Sequence, residues 1–183
     1  MDAITEQQSQ WFAMRDLKRA NAKNPAYKQL AADGFQVFTP MKTQISVRSG
    51  RRVREEIPFI RDLLFVFTTR DRLDPVVART DTLQYRFIKG GSYCEPMTVR
   101  SADMHRFITA VSLMQQPNYV ALSEITPQMY GRSVRLVCPG PMDGYEGHLV
   151  SVRGSAKKRI LLEIPGLLGL IIEVASPDYL QLL

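Results

Sequence analysis

The chain has 183 residues, of which 45% are hydrophobic and 23% charged, a balance that excludes wholesale disorder and allows one large domain or two small ones. Its net charge of +6 lies in the first part, because residues 1–116 hold 18 Lys and Arg against 12 Asp and Glu, whereas residues 117–183 hold six of each. A basic first part favours a polyanionic partner for that part alone.

Neither a membrane span nor a secretory signal is predicted. The longest apolar run, Ile164 to Val174, is interrupted by a proline and two glycines, and it falls short of the roughly 18 residues that cross a bilayer. The first ten residues, MDAITEQQSQ, contain neither a basic nor an apolar segment. Cys94 and Cys138 lie far apart and outside any C-x-x-C motif. These features predict a cytoplasmic protein with reduced thiols and no membrane partner.

The first part of the chain predicts one compact α+β domain. Trp11 to Met14 is a short apolar strand. Asn24 places a capping residue before Pro25 at the first helical position, and Gly34 ends that helix. The alternation from Phe35 to Phe38 predicts the second strand.

A basic β-hairpin and a central strand are predicted next. Alternating residues from Thr43 to Val47, and again at Val53 and Ile57, flank a glycine-bearing turn over residues 48–51. Leu63 to Thr68 is apolar and aromatic, which favours a buried central strand.

A further strand and a helix complete this domain. Tyr85 to Ile88 predicts a strand that ends at Gly90-Gly91. Ser101 caps a helix whose apolar residues recur along one side. These residues are Met104, Phe107, Ile108, Val111 and Met114.

Composition changes after residue 116. Residues 117–129 contain two prolines and several polar residues, so they predict a linker between a domain at residues 8–116 and a second domain at residues 130–183. Short apolar runs separated by turn residues predict a small antiparallel barrel in the second domain. The runs are Val134–Val137, His148–Val152, Arg159–Ile164 and Leu170–Val174.

The sharpest local motif lies between the first two of these runs. Gly131-x-x-Val134-Arg135-Leu136 is followed by Pro139-Gly140-Pro141-Met142 and then by Gly144-x-x-Gly147. Glycines permit the positive φ angles that such tight reversals require. The run resembles the KOW motif, although Ser133 and Met142 stand where an acidic residue and Phe are common. The resemblance implies an all-β KOW barrel of the SH3-like type.

A second resemblance covers most of the chain. Residues 38–67, FTPMKTQISVRSGRRVREEIPFIRDLLFVF, resemble the middle of the NusG N-terminal (NGN) domain, with a proline, a basic hairpin and an aromatic strand. Trp11-Phe12 and the segment from Phe87 to Pro96 also match that family in order. The chain therefore resembles the NusG class of transcription factors, which implies an NGN-type antiparallel sheet with flanking helices.

One resemblance and one departure indicate a specialised branch of that class. Pro40-Met41 and Glu56-x-Pro58 resemble RfaH-like and capsule-operon antiterminators. Housekeeping NusG proteins carry a Phe-Gly-Arg loop implicated in contacts with Rho and a ribosomal protein. Here the loop is Pro165-Gly166-Leu167-Leu168. The resemblance thus implies an operon-specific antitermination factor, with a general elongation factor as the alternative.

The resemblance also implies an apolar surface that binds the clamp helices of RNA polymerase. Aromatic anchors dominate such interfaces, at roughly 2 kcal/mol or more for each hot spot. Strand alternation alone would bury about half of any such set. The candidate residues are Phe59, Ile60, Leu63, Phe65, Phe87, Met104, Phe107 and Ile108.

Basic residues form the predicted nucleic-acid surface. The hairpin has five positive residues and no acidic one between Lys42 and Arg54. In the NusG class such regions approach upstream DNA and the non-template strand, largely through phosphates. The candidates are Lys18, Arg19 and Lys23 near the first helix, and Arg48, Arg51, Arg52 and Arg54 in the hairpin.

No enzymatic or metal site is predicted. His105 and His148 fall in separate predicted domains, and a Cys94–His105 pair has no third orienting group. No ligand cluster, P-loop or dinucleotide motif is present, so no metal or cofactor is expected.

The remaining alternatives are a ribosome-associated KOW protein that binds RNA, disfavoured by the neutral second domain, and a small-molecule-binding α+β protein. A monomer is expected, with a ribosomal protein as a possible partner of the barrel.

Overall fold

The computed structural model describes residues 8–19, 22–151 and 154–183, which form two compact units that divide between Ser101 and Ala102. The elements of the first unit are β1 (Gln10–Asp16), α1 (Ala26–Ala32), β2 (Gln36–Phe38), β3 (Met41–Arg48), β4 (Arg51–Pro58), β5 (Leu63–Thr68), α2 (Arg70–Ala78), β6 (Leu83–Tyr85) and β7 (Thr98–Val99). The elements that follow are α3 (Ser101–Ser112), β8 (Asn118–Ala121), β9 (Ser133–Leu136), β10 (Glu146–Val150), β11 (Arg159–Ile164), β12 (Leu168–Glu173) and β13 (Leu180–Leu182).

The first unit is built on an antiparallel sheet. Its strand order is β2-β5-β1-β6, and β7 also pairs with β1. β5 lies between β1 and β2, which confirms the predicted central strand. The combination of helices with antiparallel strands agrees with the predicted α+β class.

Helices α1 and α2 pack on one face of this sheet. Their apolar residues form a buried cluster with alternate residues of β1 and β5. The cluster comprises Phe12, Met14, Ala26, Leu30, Leu64, Val66, Leu73, Val76, Leu83 and Tyr85. Trp11, Ala13, Leu63 and Phe65 point to the opposite face and are buried as well. Burial on both faces explains why β1 and β5 are almost continuously apolar instead of alternating.

Helix α1 begins one residue later than its sequence predicts. Pro25 is the N-cap residue, with an extended ψ of 157°, and the helix begins at Ala26. The cap is supplied by β1, because the Ala26 N–H donates to Asp16 Oδ2 at 2.6 Å. Asp16 is buried, and its other carboxylate oxygen accepts the N–H of Lys18 at 3.0 Å. The expected cap by Asn24 is therefore wrong, because a carboxylate distant in sequence takes that role.

Two further elements differ from the predictions. Helix α2 was not predicted, because Pro75 lies inside it and only Leu73 and Val76 are buried. The strand expected at Tyr85 to Ile88 ends at Tyr85 instead, and Phe87 forms an isolated bridge with Pro96. The chain after Tyr85 continues as an irregular hairpin around Gly90-Gly91.

The second unit contains a six-stranded antiparallel sheet. Its order is β13-β9-β10-β11-β12-β8. Helix α3 lies against this sheet, since the rings of Phe107 and Tyr119 stack at 6.4 Å and the Arg106 guanidinium lies 6.0 Å from the centre of the Tyr145 ring. The four predicted strands of this region are present with small shifts. Val152, the predicted end of one of them, lies outside the described residues.

The segment predicted as a linker is partly structured. Asn118–Ala121 forms β8, which pairs with β12 over four residue pairs, and two short 3-10 helices follow at Leu122–Glu124 and Pro127–Met129. Strand β13 was not predicted either. It pairs with β9 and adds the sixth strand. Both strands are only three or four residues long, too short for alternation to stand out.

Candidate functional site

The hairpin of β3 and β4 is a long two-stranded ribbon in the first unit. Each strand has eight residues, and pairing runs from Met41 opposite Pro58 to Arg48 opposite Arg51. Ser49 and Gly50 form the two-residue turn with φ angles of +50° and +74°. Two positive φ angles are characteristic of a type I′ turn, whose twist matches that of the strands. The predicted hairpin and its turn are confirmed.

All four predicted arginines of the hairpin are exposed. Arg48 forms an ion pair with Glu55, with a distance of 2.8 Å between Nη2 and Oε1. At the base of the ribbon, Lys42 Nζ lies 5.5 Å from the centre of the Phe59 ring. Within the described residues, no ion pair involves Arg51 or the two arginines that follow it in β4. The hairpin therefore presents largely unneutralised positive charge.

The other predicted basic residues lie near the start of α1. Lys18 is half-buried, and its Nζ donates to the Asn24 carbonyl at 2.9 Å and to Gln29 Oε1 at 2.5 Å. Arg19 and Lys23 are exposed. Lys18 and Arg19 line an open cavity of about 280 Å³ that also touches the base of β4. The Lys18 ammonium is therefore already hydrogen-bonded to groups of the protein. The side chains of Arg19 and Lys23 remain available to a ligand.

An ionic cluster that the sequence did not reveal holds the turn before β5. The Asp62 carboxylate accepts from Arg15 Nε at 3.0 Å and from Arg86 Nη2 at 2.9 Å. Burial lowers the pKa of the Arg86 guanidinium, and the charge of Asp62 opposes that shift. The carbonyl of Asp62 also accepts the Asp16 N–H at 3.0 Å. Asp62 therefore ties together β1, the end of β6 and the exit from the hairpin.

The residues of the predicted apolar surface differ in burial, and they are distributed over the two units. In the first unit, Leu63 and Phe65 are buried, Phe59 and Ile60 are half-buried, and Phe87 is 50% exposed. In the second unit, helix α3 buries Met104 and Phe107 and leaves Ile108 half-buried. The four buried side chains offer no surface to a partner in this arrangement, because each is packed in the interior of the protein. The available apolar surface is therefore smaller than the sequence predicts.

Two exposed residues beside Phe87 were missed. Ile88 is 41% exposed and Tyr93 is 98% exposed, both in the irregular hairpin between β6 and β7. Its ends are joined by hydrogen bonds from Ile88 N–H to the Glu95 carbonyl at 3.1 Å and from Met97 N–H to the Arg86 carbonyl at 2.7 Å. In the sequence, the signal that could have identified these two residues was their position next to Gly90-Gly91. Together with Phe87 they form an exposed apolar loop.

In the second unit, the glycine motif forms a tight connection between β9 and β10. Gly144 has a φ of +74°, and its N–H donates to the Leu136 carbonyl at 2.8 Å. A Cβ atom on Gly147 would lie 2.5 Å from the Leu161 carbonyl oxygen, so only glycine allows β10 to approach β11 this closely. Asp143 accepts the Cys138 N–H at 3.0 Å and closes the loop. The glycines of this motif are therefore required by the backbone, at Gly144 for a positive φ angle and at Gly147 for the close approach of β10 to β11.

The loop at Pro165–Leu168 connects β11 with β12. Leu167 and Leu168 are buried, while Pro165 and Gly166 are exposed. Elsewhere in this unit, the Tyr130 hydroxyl donates to Glu163 Oε1 at 2.9 Å, which raises the pKa of Tyr130. No large exposed side chain projects from residues 165–168.

The candidates for catalysis are dispersed. Cys94 is exposed in the first unit, whereas His105 and His148 lie in the second, on α3 and β10. Within the part of the chain that the structure describes, no group of three or more His, Cys, Asp or Glu side chains could hold a metal ion. None of the described helices is long and apolar enough to cross a membrane.

Comparison with known proteins places these features in a family. The family model described as transcription termination factor nusG matches residues 9–108, more than half of the chain. The chain belongs to the NusG family. NusG-family proteins are transcription factors that generally bind RNA polymerase, and they are not known as enzymes. The matched segment runs from β1 into α3 and includes the hairpin and the exposed apolar loop. No curated protein matches the chain.

Proposed function

We propose that this NusG-family chain binds the clamp helices of RNA polymerase and promotes elongation as an operon-specific antitermination factor. The observation that carries the proposal is an exposed apolar group, centred on Phe87, in the family-matched segment that also contains the basic hairpin. Soluble domains seldom expose contiguous large apolar side chains without a partner to bury them. Phe59 and Ile60 of the same unit are half-buried and add apolar side chains to the candidate surface.

The mechanism requires binding energy and no chemistry. A factor that holds the clamp closed across the DNA channel favours the elongating conformation over paused ones, because it binds the first more tightly. Phosphates of the upstream DNA or the non-template strand would lie against Arg51, Arg52 and Arg54, with Arg19 and Lys23 adding to the positive field. The second unit, with its glycine motif, would be a KOW barrel that recruits another partner, such as a ribosomal protein.

The loop at Pro165–Leu168 supports a specialised role. Housekeeping members of the class carry an aromatic and an arginine in this loop, whereas this chain exposes only Pro165 and Gly166 there. An interface usually needs such anchors to bind tightly. We therefore infer that contacts with Rho are lost. Polymerase-associated occupancy measured across the genome tests this inference: enrichment over one operon supports the specialised role, and uniform coverage would establish the general one.

Polymerase binding is tested with a matched pair of variants. Phe87→Ser should weaken co-elution with core RNA polymerase by roughly 30-fold if Phe87 is a hot spot. Leu122→Ser is the control, because Leu122 is also 50% exposed but lies in the second unit. Circular dichroism of both variants verifies that they fold. Equal binding by the two variants, or no binding by the folded parent chain, would refute the proposed interface.

A further inference from the structure

A groove lies beside α1 in the first unit. It consists of two adjoining cavities, the one of about 280 Å³ that Lys18 lines and a second of about 480 Å³. The two cavities share Tyr27, Lys28, Thr39 and Glu56 as lining residues. Ligand pockets in proteins typically enclose roughly 300–1,000 Å³. This groove is therefore large enough for an organic ligand or a short segment of another chain.

One wall of the groove is the open edge of strand β2. Val37 packs against the cluster under the helices, whereas the Phe38 ring lies 6.2 Å from that of Phe65 on the opposite face. Both residues nevertheless line the second cavity, together with Thr39. Because successive side chains of a strand point to opposite faces, a cavity lined by consecutive residues follows the edge of the strand. β2 is the outermost strand on its side of the sheet, and among the described strands it pairs with β5 alone.

The lining of the smaller cavity is largely apolar. Leu63 and Leu64 are buried at this cavity, and Ile57 and Pro58 are half-buried beside them. Tyr27 is half-buried and lines both cavities, so it adds an aromatic ring to the shared part of the groove. Aliphatic surfaces of this kind suit an aliphatic side chain of the ligand.

The charges around the smaller cavity leave an excess of positive charge. Asp16 already accepts two backbone N–H groups, and the Asp62 carboxylate already binds two arginines. Lys28 and Arg61 are exposed, and neither has an ion pair among the described residues. Glu56 is the remaining acidic residue of the lining. The rim therefore favours a ligand with acidic groups.

We propose that this groove binds an acidic, extended peptide segment of a partner protein, which adds a strand to β2. Strand addition uses the backbone groups of an open sheet edge, and pockets beside the edge receive alternate side chains of the peptide. Aliphatic side chains of the peptide would lie on the apolar lining, and its carboxylates would lie near Lys28 and Arg61. A nucleic acid would match the positive charge but would leave the edge of β2 unused. The proposal does not depend on the polymerase contact at Phe87.

Charge reversal at the rim tests the acidic character of the ligand. Short random peptides displayed on phage are selected on the full-length chain, and peptides that alternate aliphatic and acidic residues should be enriched. Lys28→Glu with Arg61→Glu should weaken the enriched peptide by about tenfold or more, because like charges that face each other across an interface are strongly unfavourable. The control is Arg51→Glu with Arg52→Glu, which makes the same change in charge at the tip of the hairpin and should stay within about threefold of the parent chain. Circular dichroism verifies that both variants fold.

Methylation of the peptide backbone tests strand addition. The enriched peptide is synthesised in two forms, each with alternate backbone nitrogens methylated, so that the two forms differ in register by one residue. Alternate N–H groups of a strand point towards the same neighbour. Only one of the two forms should therefore lose binding, by roughly tenfold, because its hydrogen bonds to β2 are removed.

The possible outcomes separate this inference from the proposed function. The proposal is overturned if no peptide is enriched, if the two charge-reversal variants bind the peptide alike, or if the two methylated forms bind alike. Displacement of the peptide by an equal concentration of duplex DNA would also overturn it, since the groove would then belong to the nucleic-acid surface. Co-elution with RNA polymerase is measured in parallel. Its absence for the parent chain would refute the polymerase contact and leave the peptide result intact.

Discussion

Basic side chains have opposite surroundings in the hairpin and in the sheet of the second unit. Arg52 and Arg54 of β4 are exposed without ion pairs among the described residues. In the second unit, Lys157 Nζ lies 2.6 Å from one oxygen of Glu173, and Arg159 lies 3.7 Å from the other. The same residue types are thus available to a ligand in one region and already neutralised in the other.

This difference shows that local ion pairing must be considered together with net charge when a binding surface for a polyanion is predicted. The second unit is neutral in composition, and its charges are also neutralised locally, since Arg135 and Glu146 form a further pair at 2.6 Å. Such exposed pairs contribute little to stability, typically about 0–1 kcal/mol. Their consequence is to remove positive potential from that surface. A polyanion should therefore bind the first unit, which disfavours the alternative of a barrel that binds RNA.

The largest expected effect comes from removing the unpaired charges. Arg51→Ala, Arg52→Ala and Arg54→Ala together should weaken binding to duplex DNA by roughly 100-fold, and should lower the salt dependence of binding by about 2.7 in slope if each contacts one phosphate. Fluorescence anisotropy titrations at salt concentrations between roughly 50 and 200 mM measure both the affinity for duplex DNA and its salt slope.

A triple substitution in the second unit is the matched control. Arg135→Ala, Lys157→Ala and Lys158→Ala remove three positive charges as well, two of which are paired with carboxylates. This variant should keep its DNA affinity within about threefold of the parent chain. An equal loss in the two triple variants would mean that total charge, and not its local pairing, governs binding.

A smaller effect, on stability, is expected where a carboxylate neutralises two arginines. Asp62→Asn leaves Arg86 half-buried without its counter-ion, and should lower the free energy of unfolding by about 1–2 kcal/mol. Urea denaturation at neutral pH measures it, with the exposed Asp81→Asn as the control. If both variants lost the same stability, the cluster of Arg15, Asp62 and Arg86 would have no special role in the fold.

The fold could be predicted where local pattern and packing agree. The hairpin follows from alternation around Ser49-Gly50, and β5 follows from its apolar run, because both depend on neighbouring residues alone. Helix α2 could not be predicted, since Pro75 and its polar residues conceal the two side chains that pack. The residues of β8 resemble a linker, and only β12, about fifty positions away in sequence, gives them a pairing partner.

The candidate site was predictable in its residue types but not in its exposure. Alternation predicts that half of a strand faces outward, yet β5 is buried on both faces, so Leu63 and Phe65 lie in the interior. Pairing between distant residues is equally invisible in sequence. Asp62 joins Arg15 and Arg86, which are 47 and 24 residues away. The free arginines of β4 could be identified only after such pairings were known.

The hydrogen bond between Tyr85 and Asp74 in the first unit can be tested through the pH dependence of stability. The Tyr85 hydroxyl donates to Asp74 Oδ1 at 2.7 Å, and burial, with this hydrogen bond, raises the pKa of Tyr85 above its usual value of 10.0. A raised pKa in the folded state means that its contribution to stability is complete below the unfolded pKa and is lost as pH rises beyond it. Tyr85→Phe should thus cost about 1 kcal/mol at pH 8.

The difference between the parent chain and Tyr85→Phe should shrink steadily from pH 9 to pH 11. The unfolded parent chain ionises at Tyr85 over this interval, whereas the folded chain does not. Urea midpoints at each pH measure the difference, with Tyr93→Phe as the control, because Tyr93 is almost completely exposed. A difference that stays constant with pH would mean that the Asp74 hydrogen bond does not hold the Tyr85 proton.

The smallest expected effect is a gain of binding. Glu173→Gln removes the carboxylate shared by Lys157 and Arg159 while it keeps the size of the side chain. Two positive charges of the second unit are then unpaired, as Arg52 and Arg54 are in the hairpin. Affinity for duplex DNA at low salt should rise about two- to threefold, in proportion to the modest strength of exposed charges in water. The gain should vanish near 0.2 M salt, where charges roughly 8 Å apart are largely screened. A gain that persists at that salt would require a specific contact in the second unit, and the contrast between the two regions would then no longer be one of neutralisation.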